Sequence, residues 1–267
     1  MKSKKVNKKY MNHNNSLKKK RYDNYFKLTN KKSLSKKGVF KLIEFPLSKK
    51  YIYVPDTPDT KTSVVAKAHM KGRRWEPKIS AILSKHAKEG TVAIDMGAYI
   101  GTHTLALVDA VGPKGKVHTF EPQPWAYSGI LKTLQKNNIK NTKVHNVGIS
   151  SKKGQLRFCS DSSGSSSICS ERRPSKKVWA EIYNIPVITL DSLNLKNISV
   201  MKVDVEGHEL DALKGAKNTI IQSKPVIVLE VWKKRGNRLK MITEFLKSIN
   251  YNIKNISADD FICMPNN

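Results

Sequence analysis

From residue 91 onward the chain alternates between two hydrophobic periods. Short apolar runs at TVAID (91–95), KVHTFE (116–121), TKVHNVG (142–148), VMKVDV (200–205) and PVIVLEV (225–231) predict strands. Between them, helices are predicted near Gly101, Trp125 and Glu209, the last running through ELDALKGAKNTII. Repeated β-α units of this kind predict an α/β domain, a mostly parallel sheet with helices on both faces. The rhythm breaks between 149 and 190. That interval holds an extra strand QLRFC, the low-complexity loop SDSSGSSSICSERRPSKK, a short helix VWAEIY, and IPVITLDSL. The closing pair NYNIKNIS and DFICMP predicts a hairpin that finishes the sheet. Ahead of the alternating region, VFKLIEFPL and YIYVP (39–55) read as two short strands. The segment RRWEPKISAILSKHAKEG predicts a helix from about Pro77, with Ile79, Ile82 and Leu83 on one face and Gly90 beyond its end.

Length and charge add a tail to this picture. The 267 residues suffice for one substantial core, and the predicted layout is a disordered basic tail (1–37), strands and a helix packed on the core (38–90), and the main domain (91–267). Residues 1–37 carry 13 Lys and one Arg against Asp23, a net of +13 out of +29 for the whole chain. Such a tail is too like-charged to fold alone. It favours a polyanion such as nucleic acid, and LKKKRY (17–22) also fits a nuclear address. Composition offers an equal alternative: 42 of the 50 basic residues are Lys and Asn reaches 20, as A/T-rich codons produce. Cys159, Cys169 and Cys263 are odd in number and form no C-x-x-C pair, which argues against a disulfide framework or a zinc site and for a reducing compartment. No apolar run reaches membrane-span length. The expectation is a soluble, cytoplasmic protein, or a nuclear one through the tail.

The chemistry concentrates at predicted strand ends. Asp95 closes the first central strand, and Gly97 and Gly101 form a turn before a helix, the place where open α/β sheets bind ligands. The spacing is G-x-x-x-G with Tyr99 where a dinucleotide fingerprint needs its second glycine, and no G-K-[ST] follows. A phosphate ligand is therefore disfavoured, whereas S-adenosylmethionine has none. Its ribose diol suits a carboxylate at the end of the next strand, where Glu121 stands beside Pro122. Its ammonium and sulfonium suit Asp95, and its adenine suits the slot at Val147 and Gly148. A second cluster, MKVDVEGHELDALKGA (201–216), brings Asp204, Glu206, His208 and Glu209 to the mouth of the sheet, with Glu230 near the end of the next strand.

AIDMGAYIGTHTL, TFEPQP and KVDVEGHELDALKGA, with the upstream WEP and the late VIVLEV, resemble the FkbM-type S-adenosylmethionine-dependent methyltransferases over roughly residues 50–265. The resemblance implies a Rossmann-like class I methyltransferase fold: a seven-stranded sheet ending in an antiparallel hairpin. It also implies O-methylation of sugar or secondary-metabolite hydroxyls. Tyr99 departs from the Asn usual there. The resulting cofactor-binding set is Asp95, Gly97, Ala98, Tyr99, Gly101, Glu121, Pro122, Val147, Gly148 and Asp204.

Methyl transfer to a hydroxyl requires alignment, exclusion of water and removal of a proton. Asp204 and His208 are the candidates for base and orienting group. Glu206 completes the catalytic set and, with Glu209, shapes the pocket or holds the cofactor's amine. No metal-ligand spacing demands a divalent ion. The Ser/Gly-rich loop 160–178, with Arg172, Arg173, Lys176 and Lys177, reads as a lid over the acceptor or a floppy insertion. Two alternatives stay open. One is an RNA ribose 2′-O or cap methyltransferase using a lysine such as Lys202 or Lys233; the other is a non-catalytic binding protein built on the same fold.

Overall fold

The computed structural model describes residues 40–45, 48–55, 63–160, 166–169, 181–232 and 237–266. The basic tail, Lys233 and the four basic residues of the Ser/Gly-rich loop lie outside them. The chain opens with the antiparallel hairpin β1 (Phe40–Glu44) and β2 (Tyr51–Pro55), then helices α1 (Val64–Met70) and α2 (Pro77–His86). Next come β3 (Val92–Met96), α3 (Thr102–Val111), β4 (Lys116–Phe120), α4 (Pro124–Lys136) and β5 (Thr142–His145). Strands β6 (Gly148–Ile149), β7 (Gly154–Ser160), β8 (Ser166–Ile168) and β9 (Glu181–Ile188) form a separate small sheet in the order β6-β9-β7-β8. The alternation resumes with β10 (Ile198–Val203), α5 (Glu209–Lys214), α6 (Lys217–Ser223), β11 (Val226–Glu230) and α7 (Arg238–Ser248), and ends in the hairpin β12 (Tyr251–Asn255) and β13 (Asp260–Pro265).

The main sheet has seven strands in the order β12-β13-β11-β10-β3-β4-β5. The strands from β11 through β5 pair in parallel, and β13 pairs antiparallel with both β11 and β12. This is the predicted class I methyltransferase sheet. Its central strands are apolar on both faces because helices cover both. Ile94, Met96, Met201, Val203 and Leu229 pack toward Ala212, Leu213, Ile220, Ile242 and Leu246. The alternate residues Ala93, Val117, Val200 and Val228 face Ile79, Leu83, Leu107 and Val111 of α2 and α3. The order reverses between β10 and β3, so the carboxyl ends of those strands open a crevice.

Four expectations change. Glu181–Tyr183 of the predicted helix VWAEIY belong to strand β9, paired with β7; Val178–Ala180 lie outside the described residues. The single helix predicted from Glu209 is two: the Gly215 carbonyl accepts from the Asp191 N–H, and the Asp191 carboxylate accepts from the Asn218 and Thr219 N–H groups that open the second helix. TKVHNVG splits, its last residue joining the small sheet as β6. Cys159 and Cys169 are joined by a disulfide, Cα to Cα 5.2 Å, across the β7–β8 hairpin, leaving Cys263 buried and free. Counting three cysteines hid a pair that a hairpin ten residues long brings together, and it removes the cysteine argument for a reducing compartment. Among the described residues no helix is long and apolar enough to cross a membrane.

Candidate active site

A cavity of about 350 Å3 lies over the carboxyl ends of β3, β4, β10 and β11. Its floor begins with the turn after β3. Gly97 has φ 79, and a Cβ there would stand 1.7 Å from the carbonyl oxygen of Asp204, so only glycine lets the turn lie against the β10 end. The Gly97 and Ala98 N–H groups donate to the Phe120 carbonyl at 3.0 and 3.2 Å, and the Asp204 N–H donates to the Met96 carbonyl at 3.1 Å. The turn is thus tied to strands on both sides.

Glu121 is buried at the end of β4, with 3% exposure. Its Oε2 accepts from the Tyr99 N–H at 2.7 Å and its Oε1 from the Gln123 N–H at 2.8 Å. Burial, with the Asp95 and Asp204 charges, pushes its carboxyl up to about 8 against the pull of those two amides. Pro122, Val147 and Gly148 line the wall beside it.

At the end of β10 the electrostatics reverse. Lys202, 5% exposed, donates from Nζ to Asp204 Oδ2 at 2.8 Å. Burial works against both charges, but each stabilises the other: the Lys202 ammonium is held above its usual range and the Asp204 carboxyl below its own. Glu230 is hydrogen-bonded to Asp204, and burial and that neighbouring charge push it up to about 9, so it carries a proton at neutral pH. Trp232 Nε1 donates to Glu230 Oε1 at 2.9 Å, completing a chain from Trp232 inward to Lys202.

The turn after β10 presents Glu206 at φ 55 and His208 to the same cavity. His208 Nε2 lies 2.9 Å from Ser150 Oγ and Nδ1 lies 3.9 Å from Asp211. Burial lowers its pKa, so the ring is neutral at pH 7. Glu209 is buried, and its Oε1 accepts from the Gly207 N–H at 2.5 Å, which pins the turn.

Of the residues singled out from sequence, Gly97, Ala98, Tyr99, Glu121, Pro122, Val147, Gly148, Asp204, Glu206 and His208 share the cavity wall. Asp95, Gly101 and Glu209 do not. Asp95 lies fully buried beneath the turn, where Thr104 Oγ1 donates to its Oδ2 at 2.6 Å and Oδ1 has no hydrogen-bond partner. Gly101, at φ 87, caps α3 and faces Ile130. Sequence reasoning missed Glu76, His103, Trp75 and Trp232, and the second wall formed by Phe158, Ile168, Ile185 and Val187. Trp75 and Glu76 belong to WEP, but nothing local shows that a residue before α2 returns to the glycine turn.

The donor set fits a sulfonium cofactor better than a phosphate one. Lys202 is the only Lys or Arg among the described lining residues, and Asp204 already engages it. Glu121 keeps one lone pair per oxygen free of the two amides, as a vicinal diol requires. Among the described residues no group of three or more His, Cys, Asp or Glu side chains is arranged to hold a metal ion.

Comparison with known proteins agrees with this chemistry. Residues 95–253 match the methyltransferase FkbM domain. The chain is 29% identical over 163 residues to the hexuronic acid methyltransferase AglP of Haloferax volcanii, covering 59% of this chain and 63% of that protein. It is 26% identical over 164 residues to Methyltransferase 1 of Beauveria bassiana, covering 54% of this chain and 66% of that one. Among solved structures it is similar to an FkbM methyltransferase from Methylobacillus flagellatus KT, with TM-score 0.49 and 18% identity, covering 75% of this chain and 52% of that chain. The chain thus spans slightly under two-thirds of the length of those two curated relatives.

Proposed function

The chain belongs to the FkbM-type S-adenosylmethionine-dependent methyltransferase family, and on that premise we propose that it methylates a hydroxyl of a sugar, glycan or small metabolite. The observation that carries the reading is Glu121, a buried carboxyl group clasped by the Tyr99 and Gln123 amides on the cavity floor. In this reading Glu121 accepts the ribose hydroxyls, Gly97–Tyr99 supports the donor's backbone, and Pro122, Val147 and Gly148 flank adenine. Asp95 and Gly101 hold the turn from behind. When bound, the cofactor supplies a methyl carbon already activated by its sulfonium.

The protein's own part is alignment and proton removal. Asp204 is clamped by Lys202 and Glu230 and its acidity is raised, so it orients an acceptor hydroxyl by accepting its hydrogen bond rather than keeping its proton. His208, neutral at pH 7 and on the same wall, is the better proton acceptor. Glu206 shapes the pocket between them. Met96, Phe120 and Ile149 exclude water, and the indoles of Trp75 and Trp232 offer apolar faces of the kind that pack against a sugar ring. A sugar acceptor also accords with the similarity to the hexuronic acid methyltransferase AglP of Haloferax volcanii. The RNA alternative is less well supported, since the described lining has no row of cations for phosphates.

The test incubates the purified chain with methyl-labelled S-adenosylmethionine and source-cell extract separated into glycan, small-molecule, RNA and protein fractions. Alkali-stable label in the glycan or small-molecule fraction is expected, as for an ether. RNase-sensitive label would reject this acceptor class.

A further inference from the structure

The wall formed by the N-terminal segment holds a pair of side chains with no role in the account above. Glu76 precedes α2 at φ 41 and ψ 60 and makes no side-chain cap. Its carboxylate turns to α3 instead, where His103 Nε2 lies 3.1 Å from its Oε2. His103 is 6% exposed, and its Nδ1 lies 3.2 Å from Ser80 Oγ in α2. The ring is therefore fixed from both sides, and so is the carboxylate it meets.

Backbone strain points to the same place. Among the described residues, the non-glycine positions of positive φ are Asn138, Asn194, Asn250 and Lys224 in turns or at helix ends, Asn197 just before β10, and Glu76, Tyr99 and Glu206. The last three all line this cavity. Asn tolerates that conformation, whereas Glu and Tyr adopt it where the surroundings enforce it, which is characteristic of functional sites. Tyr99 also links the two acidic ends of the wall: its N–H donates to Glu121 and its hydroxyl to Ser63 Oγ at 2.9 Å, in the segment that leads to Glu76.

We propose that Glu76, held by His103, seats the α-ammonium of the methyl donor's amino-acid end; the inference rests on the methyltransferase reading. A cation taken into a partly apolar cavity requires a paired anion. In that reading the free lone pairs of Glu121 go to the ribose hydroxyls, and Asp204 is engaged by Lys202 and Glu230. Glu76 has an imidazole as its partner and lies close enough to Lys202 for their charges to interact. His103 is a positioning residue that keeps the carboxylate turned into the cavity.

Calorimetry on the full chain with two ligands tests this without any acceptor. S-Adenosylhomocysteine carries the ammonium; 5′-methylthioadenosine shares the adenosine and sulfur but lacks the amino-acid end. Glu76→Gln is expected to weaken the first by roughly tenfold or more and to leave the second within about twofold, as loss of one charged hydrogen bond predicts. Retained binding of the second ligand also shows that the variant is folded. His103→Gln, an independent variant, is expected to give the same ligand-selective pattern with a smaller factor. Equal weakening of both ligands in both variants, or no change in either, overturns the assignment. A wild-type chain that binds neither ligand overturns the methyltransferase reading, and this inference with it.

Discussion

Two carboxylates on one sheet edge, Glu121 after β4 and Asp204 after β10, meet opposite fates. Both lose water on folding. Glu121 receives two amide N–H groups and no cation, and its pKa rises to about 8. Asp204 receives Lys202 and a protonated Glu230, and its pKa falls. Burial alone does not set the charge of an acidic residue; the partner does. The cavity consequently has one end that gains from new hydrogen-bond donors and one whose charge is already settled.

The severest way to break this contrast is Lys202→Met, which leaves Asp204 without its cation. Stability is expected to fall by about 3 kcal/mol in chemical denaturation, the low end for a broken buried pair because Asp204 keeps partial solvent contact. Adding Asp204→Asn should restore most of it, and an unchanged midpoint in the single variant would show the pair to be energetically idle. A smaller effect is expected from Glu121→Gln, which replaces one amide acceptor by a donor. S-Adenosylhomocysteine affinity should drop roughly 10- to 100-fold in calorimetry; undiminished binding would remove Glu121 from the ribose.

pH acts on the same contrast without any substitution. Glu121 and Glu230 have folded pKa values of about 8 and about 9, above their ordinary range. Their stabilising contribution is complete below the unfolded pKa and is lost as pH rises through the folded values. The ligand-free protein should therefore become less stable between about pH 5 and 9, by at most about 1.4 kcal/mol per pH unit for each group. Thermal melts across that range measure it, and Glu121→Gln should flatten the slope below pH 8. A slope identical to wild type would place its origin elsewhere.

The sequence displayed the Asp204 side of this contrast more clearly than its chemistry. Local periodicity was enough for the five parallel strands, the closing hairpin and both glycine-bearing turns, because their pattern repeats within a few residues. Helices α1 and α7 carried no such emphasis and went unpredicted. VWAEIY looked helical, yet Glu181–Tyr183 became strand because β7 offered a ladder. Lys202 figured in the sequence only as a lysine for the RNA alternative, whereas its charge is sustained by Asp204, two positions on. The Glu76–His103 contact and the Cys159–Cys169 bond join residues that only folding brings together. Asp95 departs the other way: its motif position suggested a place beside the ligand, and Thr104 and the turn enclose it.

The close approach of Gly97 to the Asp204 carbonyl also bears on the order in which the molecule acquires its binding surface. The first half of the sheet, β3 with α3 and β4, forms through contacts between chain neighbours. The turn's other seat is supplied by β10, whose contact with β3 has high sequence separation and closes only against a larger loop entropy. A nascent chain lacking β10 has the glycine turn but no pocket floor. Ligand protection in hydrogen exchange would therefore report the completed sheet rather than its first half.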